Sequence, residues 1–135
     1  MNRAEAIRAA LATCLRQLDG VQVSEYLLGN PTAPGFEIDI DPEGVNWDQA
    51  MGRGLDEWWF LVRGFVAQAT DVGAQKKRDE WIGTVKALIE ADRTLGGACQ
   101  ACRVVKTVPR SFGTATATNT TYTGAEWRVK VMATL

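Results

Sequence analysis

Cys99-Gln100-Ala101-Cys102 places a pair of thiols at CxxC spacing. Such a pair suits a redox disulfide when it opens a helix after a strand, or half of a zinc site when further ligands complete the set. Here it follows Gly96-Gly97 and leads into a strand-like run, and Cys14 is the only other cysteine. The preferred reading is a pair of small buried residues. Asp39, Asp41, Glu43 and Asp48 gather acidic charge. The run Asp39-x-Asp41-x-Glu43-Gly44 matches the opening of a calcium loop, but the position that needs a bidentate Glu is Ala50. Paired carboxylates also serve hydrolases as acid and base. Alternation puts Asp39 and Asp41 on a solvated strand face, where nothing raises a carboxyl pKa. Gly52-Arg53-Gly54 is too short for a phosphate loop, and no GK[ST] follows it. Lys76-Lys77-Arg78 gives way at once to Asp79-Glu80, as on a solvated helix face. No GxSxG motif occurs.

The chain contains no histidine, which removes the commonest general base near neutral pH and the commonest metal ligand. Three cysteines cannot build a full disulfide framework. The 135 residues suit a single domain, spanning 1–135, with a real core. Apolar residues at 46% and charged residues at 23% are ordinary for a globular chain. A net charge of −1 disfavours a dedicated nucleic-acid binder, which normally shows a basic excess. No uncharged apolar stretch of about 18 residues is present, so no membrane-spanning segment is expected. The opening Met1-Asn2-Arg3-Ala4-Glu5 lacks the pattern of a signal peptide, and the expected site of synthesis and use is a cytoplasm.

The elements that must position these residues follow from periodicity. Ile7, Leu11, Cys14, Leu15 and Leu18 predict an amphipathic helix over 3–18, stopped by Asp19-Gly20. Residues 21–28 read as a strand, and 29–35, with Pro31 and Pro34, as a break. Residues 36–41 alternate cleanly, with Phe36, Ile38 and Ile40 inward and Glu37, Asp39 and Asp41 outward. Residues 42–54 read as a glycine-rich loop carrying Trp47 and Met51. Residues 57–68 predict a strand with two apolar faces, Trp58, Phe60 and Val62 against Trp59, Leu61 and Phe65, as in a central strand or one covered by a partner. Residues 71–93 predict a helix capped by Asp71 and divided near Gly83-Thr84. Residues 103–108 predict a strand closed by Pro109. Residues 111–123, rich in Thr, read as a mobile hairpin or loop, and 126–133 as a last strand with Arg128 and Lys130 on its polar face. The fold class is α+β: a mostly antiparallel sheet of about five strands with an N-terminal helix and a central helical segment on one face.

What the chemistry leaves unexplained is apolar surface. Five tryptophans is a high count for this length. A sheet covered by helices on one face cannot shelter Trp58 and Trp59 together. Exposed apolar patches rich in aromatics and Met mark protein interfaces. The expected subunit or partner contact is therefore Trp47, Met51, Arg53, Leu55, Trp58 and Trp59.

Several runs then resemble one family. These are Asp48-Gln49-Ala50-Met51-Gly52-Arg53-Gly54-Leu55-Asp56-Glu57-Trp58, Asp71-Val72-Gly73-Ala74-Gln75-Lys76-Lys77, Val85-Lys86-Ala87, residues 90–97, Gly124-Ala125-Glu126-Trp127 and Asn30-Pro31-Thr32-Ala33-Pro34. In order and spacing they resemble the tail terminator proteins of long-tailed phages infecting actinobacteria, over most of the chain. The chain departs from that pattern between Arg78 and Thr84, where relatives often carry a longer Pro-containing loop. The resemblance implies a non-enzymatic α+β subunit without cofactor or metal. It implies a hexameric ring that sits on the last ring of tail-tube protein, stops tube growth and meets the head connector at the tail-neck junction of the virion. DNA would pass through the lumen without specific binding, past a lumen-facing acidic surface for which Glu37, Asp39 and Asp41 are the candidates. The competing readings are another neck or head-completion protein, a small metal-dependent hydrolase and a minor nucleic-acid binder.

Overall fold

The computed structural model describes residues 2–29, 31–47, 55–113 and 121–134. Its elements run α1 (Arg3–Leu15), β1 (Gln22–Ser24), β2 (Gly35–Asn46), β3 (Leu55–Ala67), α2 (Val72–Glu90), β4 (Ala101–Gly113) and β5 (Thr121–Thr134). The strands form one sheet in the order β1-β2-β3-β5-β4. All pairings are antiparallel except that of β1 with β2, which is parallel. The fold is therefore α+β with a mostly antiparallel sheet. No helix of the described residues is long and apolar enough to cross a membrane.

Both helices lie on the face that carries the even-numbered residues of β2 and β3. Ile7, Leu11 and Leu15 of α1 and Trp81, Val85 and Ile89 of α2 join Phe36, Ile38, Phe60, Val62, Trp127, Val129 and Val131 in one cluster. Trp127 is fully buried, and its Nε1 donates to Ile82 O at 3.2 Å. Phe36 stacks on Trp81 with ring centroids 4.7 Å apart. Gly64 makes room for this arrangement: a Cβ there would sit 2.7 Å from Trp127 Cζ3 and 3.0 Å from Phe36 Cε1. Asn2 caps α1, accepting from the backbone N–H of Glu5 at 2.8 Å, and Asp71 caps α2 in the same way through Ala74. Arg3 ties the start of α1 to the end of β5, donating to Thr134 O at 2.7 Å.

The structure corrects several expected boundaries. The first strand is only Gln22–Ser24. Residues 42–46, expected in a loop, continue β2 across a register shift between Ile40 and Val45, and Gly44 takes a φ of 70° there. The alternation breaks at that irregularity, which hid the strand. The helix over 72–90 is not divided: Thr84 caps nothing, and its Oγ1 donates back to Glu80 O at 3.0 Å within the same helix. Pro109 does not close β4, which runs on to Gly113 and pairs Pro109 with Ala125. β4 is an edge strand, where a residue without an N–H costs the ladder little. Residues 111–113 and 121–123 are strand, and the remainder of the expected mobile hairpin lies outside the described residues.

Candidate assembly surface

The opposite face of the sheet carries no helix among the described residues. Its rows are set by strand register. Glu37 faces Arg63 across β2–β3, Arg63 faces Glu126 across β3–β5, and Val108 of β4 completes the row. In the next row Asp39, Leu61, Arg128 and Lys106 lie side by side. In the first row charge alternates in sign, Glu37, Arg63, Glu126, which is the favourable arrangement for cross-strand neighbours, whereas in the second the like charges of Arg128 and Lys106 are neighbours.

These charges are paired within the subunit. Arg128 grips Asp41 through two hydrogen bonds, Nε to Oδ2 at 3.0 Å and Nη2 to Oδ1 at 3.2 Å, and lies 3.6 Å from Glu43. Its guanidinium also sits 5.3 Å from the centroid of the Trp59 ring. Lys130 pairs with Glu57 at 3.2 Å and Arg110 with Glu126 at 2.9 Å. Burial pushes the Glu57 carboxyl up, but hydrogen bonds from Trp59, Lys130 and Asn46 together outweigh it and hold the group below the usual carboxylate range. Arg63 Nε, 4.0 Å from Glu126, makes no hydrogen bond within the described residues. The centre of the face is a shallow concavity of about 450 Å³ with Leu61 on its floor, lined by Arg63, Lys106, Arg110 and Arg128 and by Asp41, Glu43 and Glu126.

The row of solvated carboxylates expected on β2 is not what the structure shows. Glu37 and Asp41 are each only 5% exposed. Glu37 Oε2 accepts from the backbone N–H of Leu28 at 3.0 Å, and burial raises its carboxyl above the ordinary value against the opposing pull of Leu28 and Arg63. Asp39 remains half-buried, 3.5 Å from Arg8. The partners that bury these groups come from residues 8, 28 and 128, so local alternation could not reveal them. Of these partners Arg128 left a trace: with Lys130 it alternates on β5 with the sign opposite to Glu37, Asp39 and Asp41 on β2. Opposite-sign stripes on separate strands signal a shared face.

The expected interface residues divide among different settings. Trp47 is exposed at 55% and meets Trp58 edge-on, with centroids 5.8 Å apart. Trp58 points into the core at 6% exposure, and its Nε1 finds no acceptor among the described residues. Trp59 lies on the helix-free face, as the alternation required, and its Nε1 donates to Glu57 at 2.6 Å. Leu55 is half-buried at the start of β3. Met51 and Arg53 lie outside the described residues. The larger exposed apolar group went unnoticed in the sequence: Tyr26, Leu27 and Leu28 are 51%, 43% and 55% exposed just beyond β1. Their consecutive order gives no periodic signal.

The three cysteines are free and buried. Cys99 lies in the turn between α2 and β4, and Cys102 is on β4, with its Sγ 3.8 Å from Ile89 O. The interaction between the neighbouring thiols lowers the Cys99 pKa and raises that of Cys102, which burial raises further. The pair therefore follows a helix end rather than opening a helix. Among the described residues, no group of three or more His, Cys, Asp or Glu is placed to hold a metal ion. Compared with protein-family models and with curated proteins, the chain matches none.

Proposed function

We propose that this chain is a structural subunit of a phage virion, forming a ring that caps the tail tube, ends its growth and joins it to the head connector. The observation that carries this reading is a sheet clothed, among the described residues, by helices on one face only, with large apolar side chains exposed along its margins: Tyr26, Leu27, Leu28, Trp47 and Val105. Surfaces of that kind mark protein contacts. The charged groups that could serve acid-base chemistry are instead held in ion pairs, Asp41 with Arg128 and Glu57 with Lys130. The resemblance to tail terminators supplies the assembly. A hexamer, the tail-tube protein and the connector as partners, and the tail-neck junction as location all rest on that resemblance.

The carboxylates of β2 have a use other than lining a lumen under this proposal. Glu37 and Asp41 act as counter-ions and acceptors within the subunit. Among the candidate residues, Asp39 alone keeps substantial exposure for a passing polyanion to meet.

The test is subunit stoichiometry. Light scattering on the purified chain, alone and mixed with tail-tube protein, together with copy number per virion, should give one ring's complement of subunits. A copy number incompatible with a single ring, or a chain that binds the connector but never the tube, would turn the assignment towards another neck protein.

A further inference from the structure

The sheet ends in two margins of unlike character. One is β1 together with the part of β2 that extends past it. There Arg8 fastens residues 25–26 to the sheet: its Nη1 donates to Glu25 O and to Ile38 O, both at 2.6 Å, and its guanidinium lies 4.3 Å from the Tyr26 ring centroid. Leu28 is fastened in turn through Glu37. This holds Tyr26, Leu27 and Leu28 outward, next to Glu25 in the chain and near Asp39 through their shared partner Arg8, with Glu43 further along β2. Glu43 has a side chain 60% exposed. Among the described residues the cations near this margin are Arg8, buried and set against Asp39, Arg16, which reaches Val23 O, and Arg128, which is shared between Asp41 and Glu43 and leaves Glu25 without an ion pair.

The other margin is β4. Val105 is 44% exposed at the register shift between Val104 and Lys106. Arg103 and Lys106 flank it, both exposed and without an ion-pair partner among the described residues. Arg110 continues the basic line. Among the described residues two carboxylates reach this edge, Glu90, paired with Lys86 at 2.7 Å and Arg93 at 3.5 Å, and Glu126, paired with Arg110 at 2.9 Å, which leaves Arg103 and Lys106 as its unpaired cations.

Both margins are partly blunted against simple strand addition. Ile38 O is taken by Arg8, Ile40 N–H donates to Asp39 Oδ1 at 2.8 Å, and Pro42 has no N–H. On β4, Val104 N–H donates to Glu90 Oε2 at 2.8 Å. Blunted edges of this kind resist indiscriminate pairing. Side chains then set which margins fit together. Two acidic margins repel one another, as do two basic ones, whereas an acidic margin fits a basic one.

We propose that the Glu25–Leu28 and Glu43 margin of one copy docks on the Arg103–Lys106 margin of the next. Unlike surfaces in contact make a heterologous interface, which closes into a ring when the rotation between copies permits. This inference rests on the assembly reading above and names the contact that would build the ring.

The test is a charge exchange. Glu25→Lys with Glu43→Lys makes one variant, and Arg103→Glu with Lys106→Glu makes the other. Each alone, checked for native circular dichroism, should associate at least about tenfold more weakly than the wild type, in solution or on tail-tube protein. Mixed together, they should recover association as alternating assemblies containing equal amounts of each. Folded variants that associate like the wild type, or a mixture that recovers nothing, would overturn the margin contact while leaving wild-type assembly intact. A wild type that never associates, even on tube protein, would instead sink the assembly reading and this contact with it.

Discussion

Gly64 and Trp127 show how a single side chain governs the core. The indole covers Gly64 so closely that an added Cβ would stand 2.7 Å from Cζ3, and Phe36 blocks the other side at 3.0 Å. The ring cannot retreat without losing its Nε1 bond to Ile82 O. Gly64→Ala should therefore destabilise the fold by about 1–3 kcal/mol, the usual cost of overpacking, read as a lower urea midpoint at unchanged slope. A neutral substitution would mean that the indole is loosely held. Glu37 gives a prediction in pH. Burial raises its folded-state pKa, so the folded chain keeps a proton there that the unfolded chain has released. Stability linked to this group is full below the unfolded value and declines as pH rises through the interval up to the folded value. Glu37→Gln keeps an acceptor for Leu28 N–H and removes the titration. Its stability relative to the wild type should be higher at about pH 7 than at about pH 4. An equal difference at the two pH values would contradict the burial argument.

At the scale of elements, α2 carries a plain test of its continuity. Gly83 is exposed in mid-helix, and a Cβ there would meet nothing within 4 Å. Gly83→Ala should stabilise the chain by roughly 0.5–1 kcal/mol, seen as a higher melting temperature. A loss of stability would mean that the helix needs a break at that point. The same helix marks what the sequence could and could not reveal. Its apolar stripe through Trp81, Val85 and Ile89 was legible because period alone defines it, whereas Gly83-Thr84 looked like a boundary although the buried stripe runs straight through it. The inward set Phe36, Ile38, Phe60, Val62, Trp127 and Val129 was legible from strand alternation, and of the two settings that the apolar faces of residues 57–68 allowed, a central strand or one covered by a partner, β3 takes the central place in the sheet. The extension of β2 past Pro42 was masked by the irregularity near Gly44, and that of β4 past Pro109 by a residue tolerated only because the strand is at an edge. The candidate surface was the least legible part. Asp41 is buried by Arg128, and Glu37 by residues that include Leu28, contacts made across long separations in the chain.

At the scale of the whole molecule, stability and assembly should separate. Trp47 is exposed and lies outside the buried cluster, with Trp58 beneath it. Trp47→Ala should leave the isolated chain within about 1 kcal/mol of wild-type stability while weakening assembly, by about 2 kcal/mol if the indole is a buried anchor in the ring. Unfolding of the isolated variant would instead make Trp47 a structural residue. The margins of the sheet and the helix-free face are then what the molecule has to offer a neighbour, and the central claim is that this neighbour is a ring mate seated on a tail tube. The direct measurement is microscopy of tail-tube protein polymerising with and without this chain. The account predicts tubes whose growth stops, each ending in a ring of this chain at one end only. Tubes that lengthen as freely in its presence as in its absence, with no density added at either end, would contradict it.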